Sequence, residues 1–121
     1  MEKVALDEAF ASFDEPWSPR IAAELNDQAV KLAKFEGGFV RHSHDDADEL
    51  FLVTSGALRI ELDDEPDVEL EAGEFVVVPA GVEHRPVAEP DAEVLLFEPR
   101  GTRNTGDVRN ERTRTDLERL D

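Results

Sequence analysis

The segment Gly37–Gly56 reads GGFVRHSHDDADELFLVTSG, and the segment Gly73–His84 reads GEFVVVPAGVEH. Together these two segments contain all three histidines of the 121-residue chain. A single residue separates His42 from His44 in a stretch that we predict to be a strand. Alternation along a strand therefore directs both imidazoles to the same face. Glu49 opens the next predicted strand, and the third histidine ends the second segment. The two segments therefore predict one shared site.

The four polar side chains of this site predict a metal centre. Three imidazoles and one carboxylate form a mixed nitrogen and oxygen donor set, which suits Fe, Mn, Ni, Co, Cu or Zn, whereas Mg and Ca prefer more oxygen ligands. We therefore predict one divalent transition-metal ion per chain, held by His42, His44, Glu49 and His84. On an octahedral ion these ligands leave two positions for water, O₂ or a chelating substrate, whereas on tetrahedral zinc the set is nearly closed. The identity of the four residues does not determine the coordination geometry of the ion.

The chain is typical of a β-protein built from short strands. Runs rich in Val, Leu, Ile and Phe recur at roughly 8–12-residue spacing and are bounded by Gly, Pro or Asp, which favours an antiparallel sandwich or barrel. The connections are too short for the crossover helices of a parallel sheet. The predicted strands are Ile21–Leu25, Gln28–Phe35, Phe39–His42, Glu49–Thr54, Ala57–Leu62, Val68–Glu71, Phe75–Pro79, His84–Ala88 and Glu93–Glu98.

The chain length suits a single domain with one modest core. We predict three parts within it: an N-terminal helix and arm over residues 1–19, a β-barrel over residues 20–99, and a polar tail over residues 100–121. The helix is expected within residues 3–13, where apolar residues recur at helical spacing and acids occupy the first turns.

The tail changes composition abruptly, and its large apolar residues are Val108, Leu117 and Leu120. We expect it to be largely mobile, with a helical turn starting near Thr115. The polar stretch Thr102–Asp107 could fold over the mouth of the barrel, belong to a dimer interface or stay free. Its chemistry does not decide between these alternatives.

The charge balance narrows the range of partners. The chain has 30 acidic residues against 13 lysines and arginines, a formal net charge of −17. Such a surface repels nucleic-acid phosphates and anionic lipid, so we expect neither nucleic acid nor membrane as a partner. An acid-rich, lysine-poor surface is typical of a halophilic protein, because concentrated salt screens its self-repulsion. An acidic protein that works at ordinary salt is the alternative.

Other features of the composition point to a cytoplasmic location. The apolar runs are far shorter than the roughly 20 residues that span a bilayer, and the N-terminus does not resemble a signal peptide. The chain has no cysteine, which excludes disulfides and thiolate chemistry.

The histidine and glycine spacings resemble those of the cupin superfamily. Its first motif, G(X)5HXH(X)3–4E(X)6G, is matched from His42 to Gly56, while Glu36 stands where the formula places the opening glycine. Its second motif, G(X)5PXG(X)2H(X)3N, is met by Gly73, Pro79, Gly81 and His84. Ala88 stands in place of the asparagine, which is not a metal ligand in the motif.

This resemblance implies an all-β fold, a cupin jelly-roll antiparallel β-barrel with the metal inside its mouth. Within the superfamily the chain is similar to small single-domain cupins of the cupin 2 type, loosely labelled phosphomannose-isomerase-like. The resemblance also implies a homodimer formed through N-terminal strands, and the apolar, alternating segment Ile21–Phe35 supports this because sheet edges need cover.

The fold alone leaves the function open, because cupins include dioxygenases, isomerases, epimerases, decarboxylases, regulator domains and storage proteins. We expect a metalloenzyme of the dioxygenase or isomerase type that acts on a small polar molecule at the metal. The alternatives are a non-catalytic, metal-dependent protein that binds a small ligand, and a barrel with a purely structural metal. The chain has no tyrosine and no further histidine, which excludes an epimerase mechanism with a free histidine base and a tyrosine acid within one chain. No residue stands out as a catalytic acid or base.

Overall fold

The computed structural model describes residues 1–114 and 116–120, so the helical turn predicted near Thr115 starts outside the described residues. Within them lie one α-helix and six β-strands. The helix is α1 (Leu6–Ala11), and the strands are β1 (Arg20–Leu25), β2 (Gln28–Gly38), β3 (Glu49–Leu62), β4 (Val68–Glu71), β5 (Phe75–Val78) and β6 (His84–Pro99). The strands pair antiparallel in the order β1-β2-β6-β3-β4, and β5 also pairs with β3. This is the all-β jelly-roll fold that the sequence predicts. No helix in the described part of the chain is long and apolar enough to span a membrane.

Strands β3 and β6 are long and bent, and each contains two of the shorter strands predicted from the sequence. The predicted break at Ser55 and Gly56 is a pair of register shifts within β3, and the predicted break after Ala88 lies within β6. Bulges of this kind bend a strand and increase its twist. The first half of β3 pairs with β5 and its second half with β4. Strand β3 thereby joins β4, β5 and β6 into one sheet.

The prediction of a strand over Phe39–His42 is wrong. Beyond β2 the backbone is irregular as far as β3, and His42 makes an isolated bridge to His84. Phe39 N donates a hydrogen bond to Pro86 O, and His42 N donates one to His84 O, both at 2.9 Å. The segment thus makes isolated backbone contacts with the start of β6 and does not form a continuous ladder with it.

Two apolar clusters lie on opposite faces of β2, because successive side chains of a strand point to opposite sides. Ala33 and Phe35 point into the barrel and belong to its main core. Leu32 points outward, where Phe10 and Phe13 of the N-terminal segment cover it. The N-terminal helix, which is shorter than the sequence predicts, therefore covers the outer face of the barrel.

The C-terminal segment (residues 101–114 and 116–120) packs against the barrel, in contrast to the mobile tail expected from its composition. Thr105 is fully buried, and its hydroxyl donates a hydrogen bond to Val108 O at 2.6 Å. The guanidinium of Arg112 lies over the rings of Trp17 and Phe39, at 5.9 and 5.7 Å from their centroids. Polar and cation–π contacts hold this segment, and a hydropathy pattern does not reveal such contacts.

We expect Gly56→Ala to lower the free energy of unfolding more than Gly73→Ala does. Both glycines have positive φ, +82° and +89°, so both variants strain the backbone by about 1–2 kcal/mol. A Cβ at Gly56 would also overlap with the backbone oxygen of Asp91, whereas none of the described atoms lies within 4 Å of a Cβ at Gly73. Urea denaturation of both variants measures the difference. Equal losses of stability would show that the β3 bulge accommodates a side chain.

Candidate metal centre

Four side chains from three parts of the chain meet beside the barrel core. His42 and His44 come from the irregular loop between β2 and β3, which we call the histidine loop (residues 39–48). Glu49 is the first residue of β3, and His84 is the first residue of β6. All four are buried, and one potential ligand atom from each lies within 4.8 Å of the others. The structure thus brings together the four residues singled out by the sequence.

The spacing of these atoms fits a single metal ion. His44 Nε2 lies 3.3 Å from Glu49 Oε1, and His84 Nε2 lies 3.5 Å from the same oxygen. Ligand atoms bound to one ion at about 2.1 Å lie about 3.0–3.5 Å apart when they are neighbours in its coordination shell. These three atoms are buried and have no hydrogen-bond partner among the described residues. Each such atom costs about 1–3 kcal/mol, and one cation would satisfy all three.

Two of the imidazoles are oriented through the ring nitrogen that would face away from the ion. Nδ1 of His42 lies 2.9 Å from Val40 O, and Nδ1 of His84 lies 2.9 Å from Val82 O. A carbonyl oxygen can only accept a hydrogen bond, so Nδ1 of each ring carries the proton. Nε2 of each ring then keeps the lone pair that a metal ligand needs.

The electrostatics of the centre favour a divalent cation. Burial, and then the nearby His84, lower the pKa of His42 from 6.5 to about 4, so its ring is neutral at neutral pH. Burial by itself raises the pKa of Glu49, but the neighbouring Glu98, His44 and His84 hold the pKa well below its usual value of 4.5. Glu49 is therefore a carboxylate and His42 a neutral imidazole, which are the forms that bind metal.

The turn before β6 holds one side of the histidine loop. The backbones of His42 and His84 exchange two hydrogen bonds of 2.9 Å. Gly81 N donates to His44 O at 2.8 Å, and Ala80 N donates to the carboxylate of Asp48 at 2.8 Å. These bonds, rather than alternation along a strand, bring the two histidines of the loop to one point.

The C-terminal segment holds the other side of the loop. Ser43 N donates to Asp107 Oδ1, and Asp107 N donates to Ser43 O, both at 2.9 Å. Gly106 packs against the same stretch of backbone. The stretch Thr102–Asp107, for which the sequence left several positions open, thus lies beside the candidate ligands.

A small cavity of about 20 Å³ adjoins the centre inside the barrel. His42 and Glu49 form part of its wall, and so do Asn104 and Leu117 of the C-terminal segment. Four aromatic side chains also line it, from Trp17, Phe35, Phe39 and Phe51. This space is about the size of one water molecule. Any larger molecule that enters must displace part of the wall.

A buried ion pair next to the centre was missed by the sequence analysis. Lys31 Nζ on β2 lies 2.9 Å from Glu98 Oε1 on β6, and each side chain is 2% exposed. Lys31 Nζ also donates to Thr102 O at 3.1 Å. Burial, and then the neighbouring Glu49, raise the pKa of Glu98 well above its usual value. The available signal was the alternation of β2, where Lys31 shares the inward face with Ala33.

Comparison with known proteins identifies the family. The family model described as "Cupin domain" (Cupin_2) matches residues 29–98, more than half of the chain. The chain therefore belongs to the cupin family, as its motifs predict.

Individual proteins and solved structures are also similar to this chain. The uncharacterized protein YdbB of Bacillus subtilis (strain 168) is 41% identical over 63 residues, which cover 52% of this chain and 56% of that protein. The chain thus spans little more than half the length of this curated relative. The crystal structure of a cupin-2 domain containing protein from Shewanella frigidimarina NCIMB 400 is 44% identical, with a TM-score of 0.78 over 80% of this chain and 94% of that one. KdgF from Halomonas sp. is 35% identical, with a TM-score of 0.60 over 68% and 77% of the two chains.

We expect Gly106→Ala to weaken metal binding and Gly101→Ala to leave it unchanged. A Cβ at Gly106 would overlap with Ser43 O and lie 2.9 Å from Cδ2 of His42, so the histidine loop must shift. Gly101 lies in the same segment with φ +86°, and none of the described atoms lies within 4 Å of its Cβ position. Displacing the support of a ligand typically costs about 10–100-fold in metal affinity. Competition against a chromophoric chelator with Co²⁺ measures both variants, and equal affinities would refute the role of this contact.

Proposed function

We propose that the chain holds one divalent transition-metal ion on His42, His44, Glu49 and His84, and acts on a small polar molecule at the open coordination positions. The observation that carries this proposal is that His42 and Glu49 belong both to the ligand cluster and to the wall of the cavity. A molecule that occupies the cavity would therefore lie next to the ion. Such an ion can polarise a carbonyl, lower the pKa of bound water or, as Fe(II), activate O₂.

The residues of the chain supply a partly apolar surrounding for this chemistry. The aromatic side chains on one side of the centre lower the local dielectric constant, which strengthens the electrostatic interactions inside it. The neutral imidazoles and the single carboxylate leave a net positive charge on a bound divalent ion. That charge favours an anionic or strongly polar molecule at the open positions. A dioxygenase or isomerase reaction, centred on the ion itself, fits this arrangement best.

A second candidate is a non-catalytic protein that binds a small ligand through the metal. The composition favours it, because the chain has no tyrosine, no cysteine and no histidine beyond the ligand set. Carboxyl groups are therefore the main candidates for proton transfer near neutral pH. A purely structural metal is the third candidate, and the contact between the ligands and the cavity argues against it.

We expect untagged protein purified without chelators to contain one equivalent of metal per chain, and a His42→Ala/His44→Ala variant to contain none. Removal of two of four ligands leaves too few donors to compete with water and chelators. A matched control is Asp45→Asn/Asp46→Asn, which alters two exposed acids of the same loop. Elemental analysis by mass spectrometry gives both the amount and the identity of the metal. A wild-type protein that takes up no metal after reconstitution would overturn the proposal.

The identity of the metal selects the next experiment. Iron leads to oxygen-consumption assays with small hydroxy acids and diols, whereas zinc or nickel leads to isomerisation assays and anion binding. Turnover that follows metal occupancy supports the proposal of a metalloenzyme. Thermal stabilisation by a ligand without product supports the binding protein, and loss of stability on chelation without any ligand response supports the structural metal.

We further propose that the protein is a cytoplasmic homodimer adapted to high salt, which the sequence alone suggests. Molar KCl should raise the unfolding temperature, because it screens the repulsion within a chain of net charge −17. Sedimentation in the same buffer should give twice the chain mass of 13.5 kDa. An unfolding temperature independent of salt would contradict the adaptation, and a monomer would contradict the dimer.

A further inference from the structure

We propose that Glu98, held in place by Lys31, is a positioning residue that sets the orientation of the metal ligand Glu49. This inference rests on the proposed metal centre and extends it to a buried ion pair that the cupin motifs do not contain. Lys31 on β2, Glu98 on β6 and Glu49 on β3 would then act together.

The strand register places the three side chains together. Leu50 of β3 pairs with Phe97 of β6, so Glu49 and Glu98 occupy the next position along the same ladder. Lys31 of β2 pairs with Leu96 of β6, which places it diagonally across from Glu98. Directly opposed and diagonal residues on one face of a sheet are close enough to interact. All three side chains point into the barrel, where each is almost completely buried.

One of the two carboxylate oxygens of Glu98 has a hydrogen-bond partner in the described part of the chain and the other does not. Its Oε1 accepts from Lys31 Nζ at 2.9 Å, while its Oε2 has no partner among the described residues. Glu49 Oε1 is buried without a hydrogen-bond partner as well. Both side chains line the same small cavity, and the strand register places them side by side. The carboxyl group of Glu98, held by Lys31, therefore lies beside the proposed metal ligand Glu49.

The position of Lys31 explains how Glu98 is kept in this orientation. Its ammonium group contacts Glu98 on one side and Thr102 O of the C-terminal segment, at 3.1 Å, on the other. A carboxylate ligand can rotate and present one or both oxygens to an ion. A fixed group beside Glu49 limits that rotation, which is how outer partners of metal ligands tune affinity and geometry.

Stability of the core does not account for the pair. Desolvation of two buried charges offsets much of their attraction, and well-packed apolar residues often replace such a pair without loss of stability. The surrounding wall is already apolar and aromatic, with Phe35 and Leu96 beside the pair. A role toward Glu49 accounts for the placement of a lysine and a glutamate there.

The test compares three variants by Co²⁺ titration, in which visible absorption reports both affinity and coordination geometry. Glu98→Gln keeps an oxygen that accepts from Lys31 and adds an N–H that can donate to Glu49. Glu98→Leu removes both contacts, and Lys31→Met removes the group that holds Glu98. Val94→Ala serves as the control, because Val94 lies on the same strand and face but belongs to the apolar core.

We expect Glu98→Leu and Lys31→Met to weaken Co²⁺ binding by about tenfold or more and to change the absorption spectrum. Glu98→Gln should bind with an affinity close to that of the wild type and keep its spectrum. Val94→Ala should lower stability without altering the spectrum. If a single variant fails to fold because it leaves one buried charge, Lys31→Met/Glu98→Leu removes both charges and carries the same expectation.

Two outcomes overturn the inference while the metal centre stands. One is wild-type affinity and spectrum in Glu98→Leu, or in the double variant. The other is a loss of Co²⁺ affinity in Glu98→Gln as large as that in Glu98→Leu. A wild-type protein that does not bind Co²⁺ is a distinct result, because it overturns the proposed metal centre and this inference together.

Discussion

A carboxylate and three imidazoles, all buried beside the apolar core of the barrel, impose the main constraint on this structure. Glu49 carries its charge away from solvent, and three of the potential ligand atoms lack hydrogen-bond partners in the described part of the chain. Buried charge and unpaired polar atoms are costly in such surroundings. A cation at their common centre would remove that cost. The neighbouring loop, turn and C-terminal segment then serve to hold the four groups where one ion can reach them.

The supports of the centre come from distant parts of the sequence. The turn before β6 and the C-terminal segment hold the histidine loop from opposite sides, through backbone bonds to His84 and through the paired contacts of Ser43 and Asp107. Lys31 joins Glu98 and Thr102 on the inner side of β2. The C-terminal segment thus contacts both the histidine loop and the ion pair, and it also forms part of the cavity wall. One segment therefore contacts the cavity, the histidine loop and the ion pair together.

Much of the fold followed from local sequence patterns. Alternating apolar residues and turn residues predicted most strands, because each strand must bury one face and each turn needs a suitable backbone. The exceptions have physical reasons. A bulge and a turn look alike in sequence near Ser55, since both interrupt alternation. The segment Phe39–His42 alternates like a strand, yet it makes isolated backbone bonds to β6 in place of a continuous ladder. The packing of Thr105 and Arg112 depends on partners far away in the chain.

By itself, the sequence determined the family, the all-β class and the four candidate ligands, because motif spacing records which residues a shared fold brings together. The tertiary structure alone decided how they converge, since His42 and His44 are oriented by bonds to other segments and not by a strand. It also decided that Lys31 and Glu98 meet beside Glu49. No local pattern identifies that contact, because it arises from the register of three strands whose residues lie far apart in the chain.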